Sequence, residues 1–491
     1  MVFDSPVFLF LFFPVFAGVY FLSPAKLKNI ILILFSLLFY FWADRSLVLI
    51  LLLSCLVNYI FGWIIGNGYK RTGLVTSVIF NVSLLFFYKY LTPIIDTGML
   101  MAKNSMAEKP GFSLADIAIP LGISFYTFRA ISYSADIYRG KVERSRNFLE
   151  FLTYFTLFPL MIAGPIVRYA DICGQLSARV VTVRHLTSGI ERIIIGLAKK
   201  ILIAGTFSRV ATLIFDAPAG DVSTLMAWTG IIAFAFEIYY DFSGYTDIAI
   251  GIGKLIGFDF QENFNYPYVS RNIREFWRRW HISLSAWLRD YIFLPLAYML
   301  SRRLPGNKYF QVRTENIIYL IVTGITFLIC GLWHGAGLHF VAWGIYFAFF
   351  LVLEQLFLGR ILRKFWVPLQ HAYTLLVVVC SWVLFKSGDL SEAFGYFEKM
   401  FTFSHGLPAF TSYLVYFIFT GETLAITLIA LLLATPAYPR LKAAIFSPAF
   451  EHPVFIRVTR VAGILILGVL LIVSISYMAE NTYNPFIYMR F

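Results

Sequence analysis

Charge is what this chain has least of. Asp, Glu, Lys and Arg make up only 14% of its 491 residues, against 59% hydrophobic and 19% aromatic, which excludes an ordinary soluble domain. No polar stretch is long enough to fold separately, so a polytopic helical membrane protein is the economical reading. Cysteine is scarce as well. Cys55, Cys173, Cys330 and Cys380 are scattered without paired spacing, which argues against a disulfide framework or a zinc site and leaves small buried hydrophobes. No P-loop or dinucleotide glycine motif is present, so neither ATP nor NAD use is expected. No repeat of fixed period is evident, which counts against solenoids and inverted-repeat transporters. The little charge there is has one sign in excess, +13 net. In so apolar a chain this reads as cytoplasmic loops and contact with anionic headgroups, in preference to nucleic-acid binding.

The apolar runs thread through five spans in one orientation. Residues 7–22 have no basic n-region before them and no small-residue cleavage site after them, so they read as a retained first span. Lys26 and Lys28 place its far end in the cytoplasm. Runs 30–42, 47–65 and 74–90 follow, with an external loop over 92–116. Residues 117–138 then return to a cytoplasmic landing at Arg139, Lys141, Arg144 and Arg146. Beyond 150 the pattern breaks. Pro159 and Gly164-Pro165 interrupt 151–166, and Lys199 and Lys200 sit inside 193–203. Such pieces suggest re-entrant or interfacial helices, tolerated at membrane depth where protein buries them or they line a wet cavity. The expected architecture is therefore all-α, with helices around a central tunnel. Run 225–256 carries Glu237, Asp241 and Asp247, open to readings as proton-handling groups, metal ligands, or structural residues around Ser243-Gly244. One membrane domain over 1–491 is expected, with N-terminal spans (1–140), a core (141–340), and C-terminal spans and tail (341–491).

Polar chemistry concentrates at 262–290, ENFNYPYVSRNIREFWRRWHISLSAWLRD, with five arginines, three tryptophans and one histidine. At helical spacing Trp277, Trp280, Leu284 and Leu288 share a face, and Arg271, Arg274, Arg278 and Arg289 lie around the rest. That predicts one amphipathic helix at the membrane interface, tryptophans at the headgroups. His281 within it reads either as an interfacial residue or as a functional one. His334, in GLWHGAG at the end of the apolar run 317–333, makes the functional reading stronger, because a titratable imidazole is expensive there. Cys330 precedes His334 by one helical turn, either packed or paired with it for thioester chemistry. His339 lacks the carboxylate or third ligand that a metal site with His334 requires, so no metal is expected. His371, His405 and His452 read as surface groups.

Two motifs, WRRWHISLSAWLRDYIFLPL and, about fifty residues on, GLWHG, resemble the membrane-bound O-acyltransferase superfamily, in particular its bacterial branch that acetylates alginate and other surface polymers. The segments PLGISFYTFRAISYSADIYRG, FPLMIAGPIVRY, YYDFSGYTDIAIGIGKLIGFDFQENFNYPY and the terminal NPFIYMRF extend the likeness along the whole chain. After Asp290 it departs, reading PLAYMLSRRLPGNK, which leaves the acceptor polymer open. The resemblance implies an O-acetyltransferase of the bacterial cytoplasmic membrane with His334 as its essential histidine. It implies no bound cofactor, acetyl-CoA as donor substrate, an extracytoplasmic polysaccharide as acceptor, and an esterase-like or acetyltransferase partner on the envelope side.

Acyl transfer to a hydroxyl needs a base and oxyanion stabilisation. His334 takes the base role. His281 takes a supporting one in orientation, donor binding or oxyanion stabilisation. Arg278, Arg279 and Trp280 are the donor-binding candidates; the Arg302/Arg303 pair joins them, and all these arginines could equally serve lipid headgroups or topology. Tyr488 reads either as an acyl-carrying tyrosine, as in the related Phe-Ile-Tyr-Phe tails, or as an interfacial anchor. Two further readings are D-alanyl transfer from a carrier protein and, outside enzymes, a lipid or polysaccharide transporter.

Overall fold

A computed structural model describes residues 2–45, 47–91, 119–218, 221–309, 311–402, 415–416, 418, 420–445 and 453–480. Tyr488, His405, His452 and the 92–116 loop lie outside them. The described chain is α-helical apart from one two-stranded hairpin, Lys308–Tyr309 with Val312–Arg313. Seven described helices are long and apolar enough to cross a membrane: Ala25–Ala43, Val48–Gly66, Lys70–Leu91, Thr314–His334, Leu338–Leu362, Val367–Lys386 and Arg457–Ala479. The chain is an all-α, multi-pass membrane protein. The expected first span is a shorter apolar helix, Phe8–Leu22.

Two compact units divide the chain. Unit one is Met1–Ile190 with Ala249–Gln261. In it the described part of the fifth expected span is α1, Ile123–Tyr138, only about 24 Å long at 1.5 Å per residue. Thr127, Arg129, Ser132, Ser134 and Asp136 are buried on it, so it lies within protein and not against lipid. Its Ser134 hydroxyl shares a 2.8 Å hydrogen bond with Ser77. The amide of Asn81 donates to Asn58 Oδ1 at 2.7 Å, and that of Asn58 to Asn81 Oδ1 at 3.2 Å. These polar groups tie Val48–Gly66, Lys70–Leu91 and α1 together where no water competes.

Unit two is Glu191–Ile248 with Glu262–Phe491. Its part of the long helix α2, Thr224–Leu255, answers the question that Asp241 and Asp247 raised. Asp241 forms a buried ion pair with Lys200. Asp247 accepts from Lys199 Nζ at 2.7 Å and from Arg192 at 2.7 Å, and Arg192 also pairs with Glu262. The lysines that seemed to interrupt 193–203 are thus neutralised partners in a helix that continues through a π-helical turn, Lys199–Ala204. Gly196 lets the backbones meet, for a Cβ there would lie 2.6 Å from the Gly244 carbonyl oxygen.

The single amphipathic helix expected over 273–288 is corrected. It is two short helices, α3 (Ile273–Arg279) and α4 (Ile282–Leu288). Between them Trp280 is extended and His281 is left-handed, φ 43°. Periodicity could not show the reason, which is a distant strand of backbone. Asn265 N–H donates to Arg279 O and Ile282 N–H to Asn263 O, each at 2.9 Å. These two bonds turn the chain at 280–281. The tryptophans are not at headgroups either: Trp277, Trp280 and Trp287 are all at most 8% exposed.

Helices α5 (Thr314–His334) and α6 (Leu338–Leu353) form a hairpin with a three-residue turn. A Cβ on Gly331 would lie 2.4 Å from Phe340 O, and one on Gly344 2.2 Å from Phe327 O. Glycine at both positions permits the helices to touch backbone to backbone.

Candidate active site

His334 closes α5 and is buried, 4% exposed. Its ring meets Trp343 edge-on at 5.0 Å, Phe385 at 5.0 Å and Trp333 at 4.7 Å between centroids. His281 is 1% exposed and meets the other histidine's neighbour, Trp333, at 6.5 Å, with Phe242 at 4.8 Å. The hairpin turn and the α3–α4 break therefore bring two histidines, 53 positions apart in sequence, to one indole.

Asn263 decides the protonation of His281. Its Oδ1 accepts from the Ser283 backbone N–H at 3.1 Å and the Ser283 hydroxyl at 2.9 Å, and stands 3.2 Å from His281 Nδ1. A backbone N–H can only donate, so this atom is the amide oxygen and His281 Nδ1 must carry the proton. Nε2 is then the bare nitrogen, buried with no hydrogen-bond partner among the described residues. The Asn263 amide nitrogen and the indole N–H groups of Trp277, Trp343 and Trp382 are likewise buried without a partner there.

His281 lies outside the seven spans, and burial pushes its pKa down to about 3. An unfolded histidine titrates near pH ~6.5, so between the two values the unfolded chain binds a proton that the folded one does not. Stability is therefore complete above about pH 6.5 and falls as the pH drops toward 3, by up to about 1.4 kcal/mol per pH unit. Melting of the detergent-solubilised protein should follow that fall more steeply than melting of His281→Gln. Parallel pH profiles in the two proteins would contradict the assignment.

The remaining sequence candidates separate. Trp280 is in the core, packed on Phe264 at 5.1 Å and Trp382 at 5.0 Å. Arg279 is held by Glu275 at 2.9 Å and donates to Asn265 O. Arg278 is exposed. Asn263 was missed by the sequence reading, although it sits within the segment that carried the resemblance, because asparagine has no spacing signature.

The molecule is thus a polytopic helical membrane protein in which two buried histidines meet one indole. The signature of the membrane-bound O-acyltransferase family matches residues 121–391, and the chain belongs to that family. It is an acyltransferase. It is 38% identical to the probable alginate O-acetylase of Pseudomonas aeruginosa over 82% of this chain and 75% of that one. The peptidoglycan O-acetyltransferase of Helicobacter pylori is 33% identical over 80% of this chain and 78% of its own. A teichoic acid D-alanyltransferase of Streptococcus thermophilus is 31% identical over 49% and 58% respectively.

Proposed function

We propose that this acyltransferase takes acetyl groups from acetyl-CoA at the cytoplasmic face of a bacterial inner membrane and delivers them for O-acetylation of an extracytoplasmic polysaccharide, alginate or another surface glycan. The observation that carries this reading is the meeting of His281 and His334 at Trp333. The relatives that match most of the chain support acetyl transfer over D-alanyl transfer, whose match covers half of it.

In this mechanism His334 removes the proton as the acceptor hydroxyl oxygen attacks the thioester carbonyl. The C–O bond forms, the C–S bond breaks, and the departing thiolate takes the proton from His334. His281 does not compete as base, since a group titrating near 3 holds a proton poorly at neutral pH. Nor can its bare Nε2 stabilise an oxyanion, so the supporting role narrows to accepting a hydrogen bond that orients the hydroxyl. The indole N–H of Trp343, on the ring beside His334, supplies the oxyanion donor. Tyr488 is the first acceptor, forming a tyrosyl ester that an envelope-side esterase-like partner completes onto the glycan. Arg278 and Arg279 draw the anionic donor toward the membrane.

Purified protein in detergent, incubated with acetyl-labelled acetyl-CoA, should acquire covalent label in the wild type and none in Tyr488→Phe. Label retained in Tyr488→Phe would remove the carrier role. Labelling by a D-alanyl carrier protein in place of acetyl-CoA would overturn the donor.

A further inference from the structure

Away from the histidines, unit two contains a cavity of about 360 Å³ whose lining includes Arg271, Arg274, Arg360 and Arg363. That volume is at the small end of ordinary ligand pockets. Glu354 is the only acidic lining residue, and its carboxylate is committed. It accepts from the Ile273 N–H at 2.7 Å, the Arg274 N–H at 3.2 Å and the Tyr373 hydroxyl at 3.2 Å. Four guanidinium groups thus share one cavity with a single carboxylate already in use.

The four differ in how they are held. Arg274 is fixed, donating to Gln355 Oε1 at 2.6 Å with its guanidinium over the Tyr319 ring at 5.5 Å. Arg360 reaches back to the Leu356 carbonyl at 3.3 Å. Arg271 and Arg363 are exposed, and neither side chain has an ion-pair partner among the described residues. Four like charges gathered around one carboxylate repel one another, and an anion relieves that repulsion. Planar guanidinium groups match phosphate oxygens two at a time. A single carboxylate would leave most of this charge unanswered, whereas a diphosphate would not.

Placement gives the cavity a side. Arg360 lies in the last turn of the Leu338–Leu362 span and Arg363 directly follows it, and Arg274 touches Tyr319 near the start of α5, where the basic segment 302–313 enters. The positive-inside rule assigns that end to the cytoplasm. Helix α3 starts at the cavity, since Asn272 lines it, and leads through Arg279 to His281. At 1.5 Å per residue α3 covers roughly 10 Å.

We propose that this cavity is a phosphate-binding site that takes a diphosphate or an equally charged phosphate group, with Arg274 as the fixed element and Arg271 and Arg363 as the arms that close on it. The ligand has two possible sources, the diphosphate of a soluble donor or the headgroup of an anionic phospholipid; the first rests on the donor reading above.

Binding of inorganic pyrophosphate to delipidated protein in zwitterionic detergent separates these sources. The double variant Arg271→Ala/Arg363→Ala should bind it at least tenfold more weakly than wild type, and Arg313→Ala, outside the cavity, within twofold of it. Arg271→Lys/Arg363→Lys should recover part of the loss, which a folding defect would not, and melting temperature reports folding directly. If phosphatidylglycerol in nanodiscs displaces pyrophosphate and the double variant retains less of that lipid than wild type, the site stands with a headgroup as occupant. If pyrophosphate binding depends on the arginines and phosphatidylglycerol does not compete, the soluble source is correct. Wild-type protein that binds neither probe, or a double variant that binds both as wild type does, overturns the site. Acetyl transfer measured in parallel keeps the two readings apart, because pyrophosphate binding requires no turnover and a failed acetyl-CoA assay leaves it intact.

Discussion

His334→Ala should lose acyl transfer by roughly 10²–10⁴-fold, the range for removing a general base, and His334→Gln, which keeps much of the bulk, should lose as much. The argument rests on placement. The imidazole closes α5 and is walled by Trp333, Trp343 and Phe385, so no other described histidine can move into its place without unpacking the hairpin. Because the ring is part of the core, alanine also leaves a small cavity. The Gln variant with an unchanged melting temperature then separates chemistry from folding. Acetyl transfer by His334→Gln at the wild-type rate would refute the base assignment. On the proposed mechanism His281→Ala should impair turnover less, since there His281 orients the hydroxyl and does not carry the proton.

The second large effect is on stability. Lys200→Met leaves the Asp241 carboxylate without its lysine at a position where both side chains are under 10% exposed. Breaking a buried pair from one side typically costs about 3–5 kcal/mol, whereas replacing both members by apolar groups of similar size is often neutral. The single variant should therefore melt far below wild type in detergent, and Lys200→Met/Asp241→Leu should recover most of the loss. A double variant no better than the single one would mean that the pair is not a self-contained unit. Asp247 is less vulnerable to loss of one partner, because Lys199 and Arg192 both answer its charge.

These two expectations draw on different kinds of information. The position of His334 was legible in the sequence, because an apolar run of about twenty residues followed by a small-residue turn is a local pattern. The Lys200–Asp241 pair was not. Lys200 on its own looked like an interruption and Asp241 was open to several roles, and only the packing of residues forty-one positions apart shows that the two charges pair. The reading of 273–288 failed for a related reason. Its periodicity is real, but two backbone hydrogen bonds from Asn263 and Asn265 outweigh the continuity of the helix and hold His281 in a left-handed conformation that disfavours an L-residue by roughly 1–2 kcal/mol.

The sequence by itself determined the class of the protein and most of its spans, and it singled out the two histidines as candidates. Hydropathy is a sum over neighbours in the chain, and lipid requires every spanning segment to satisfy its own backbone. Only the tertiary structure decided that the histidines share an indole, that Asn263 sets which nitrogen of His281 is bare, and that four arginines from two separate segments line one cavity. Each of these is a contact between residues far apart in sequence, fixed by side-chain packing and hydrogen-bond geometry, which no local pattern encodes.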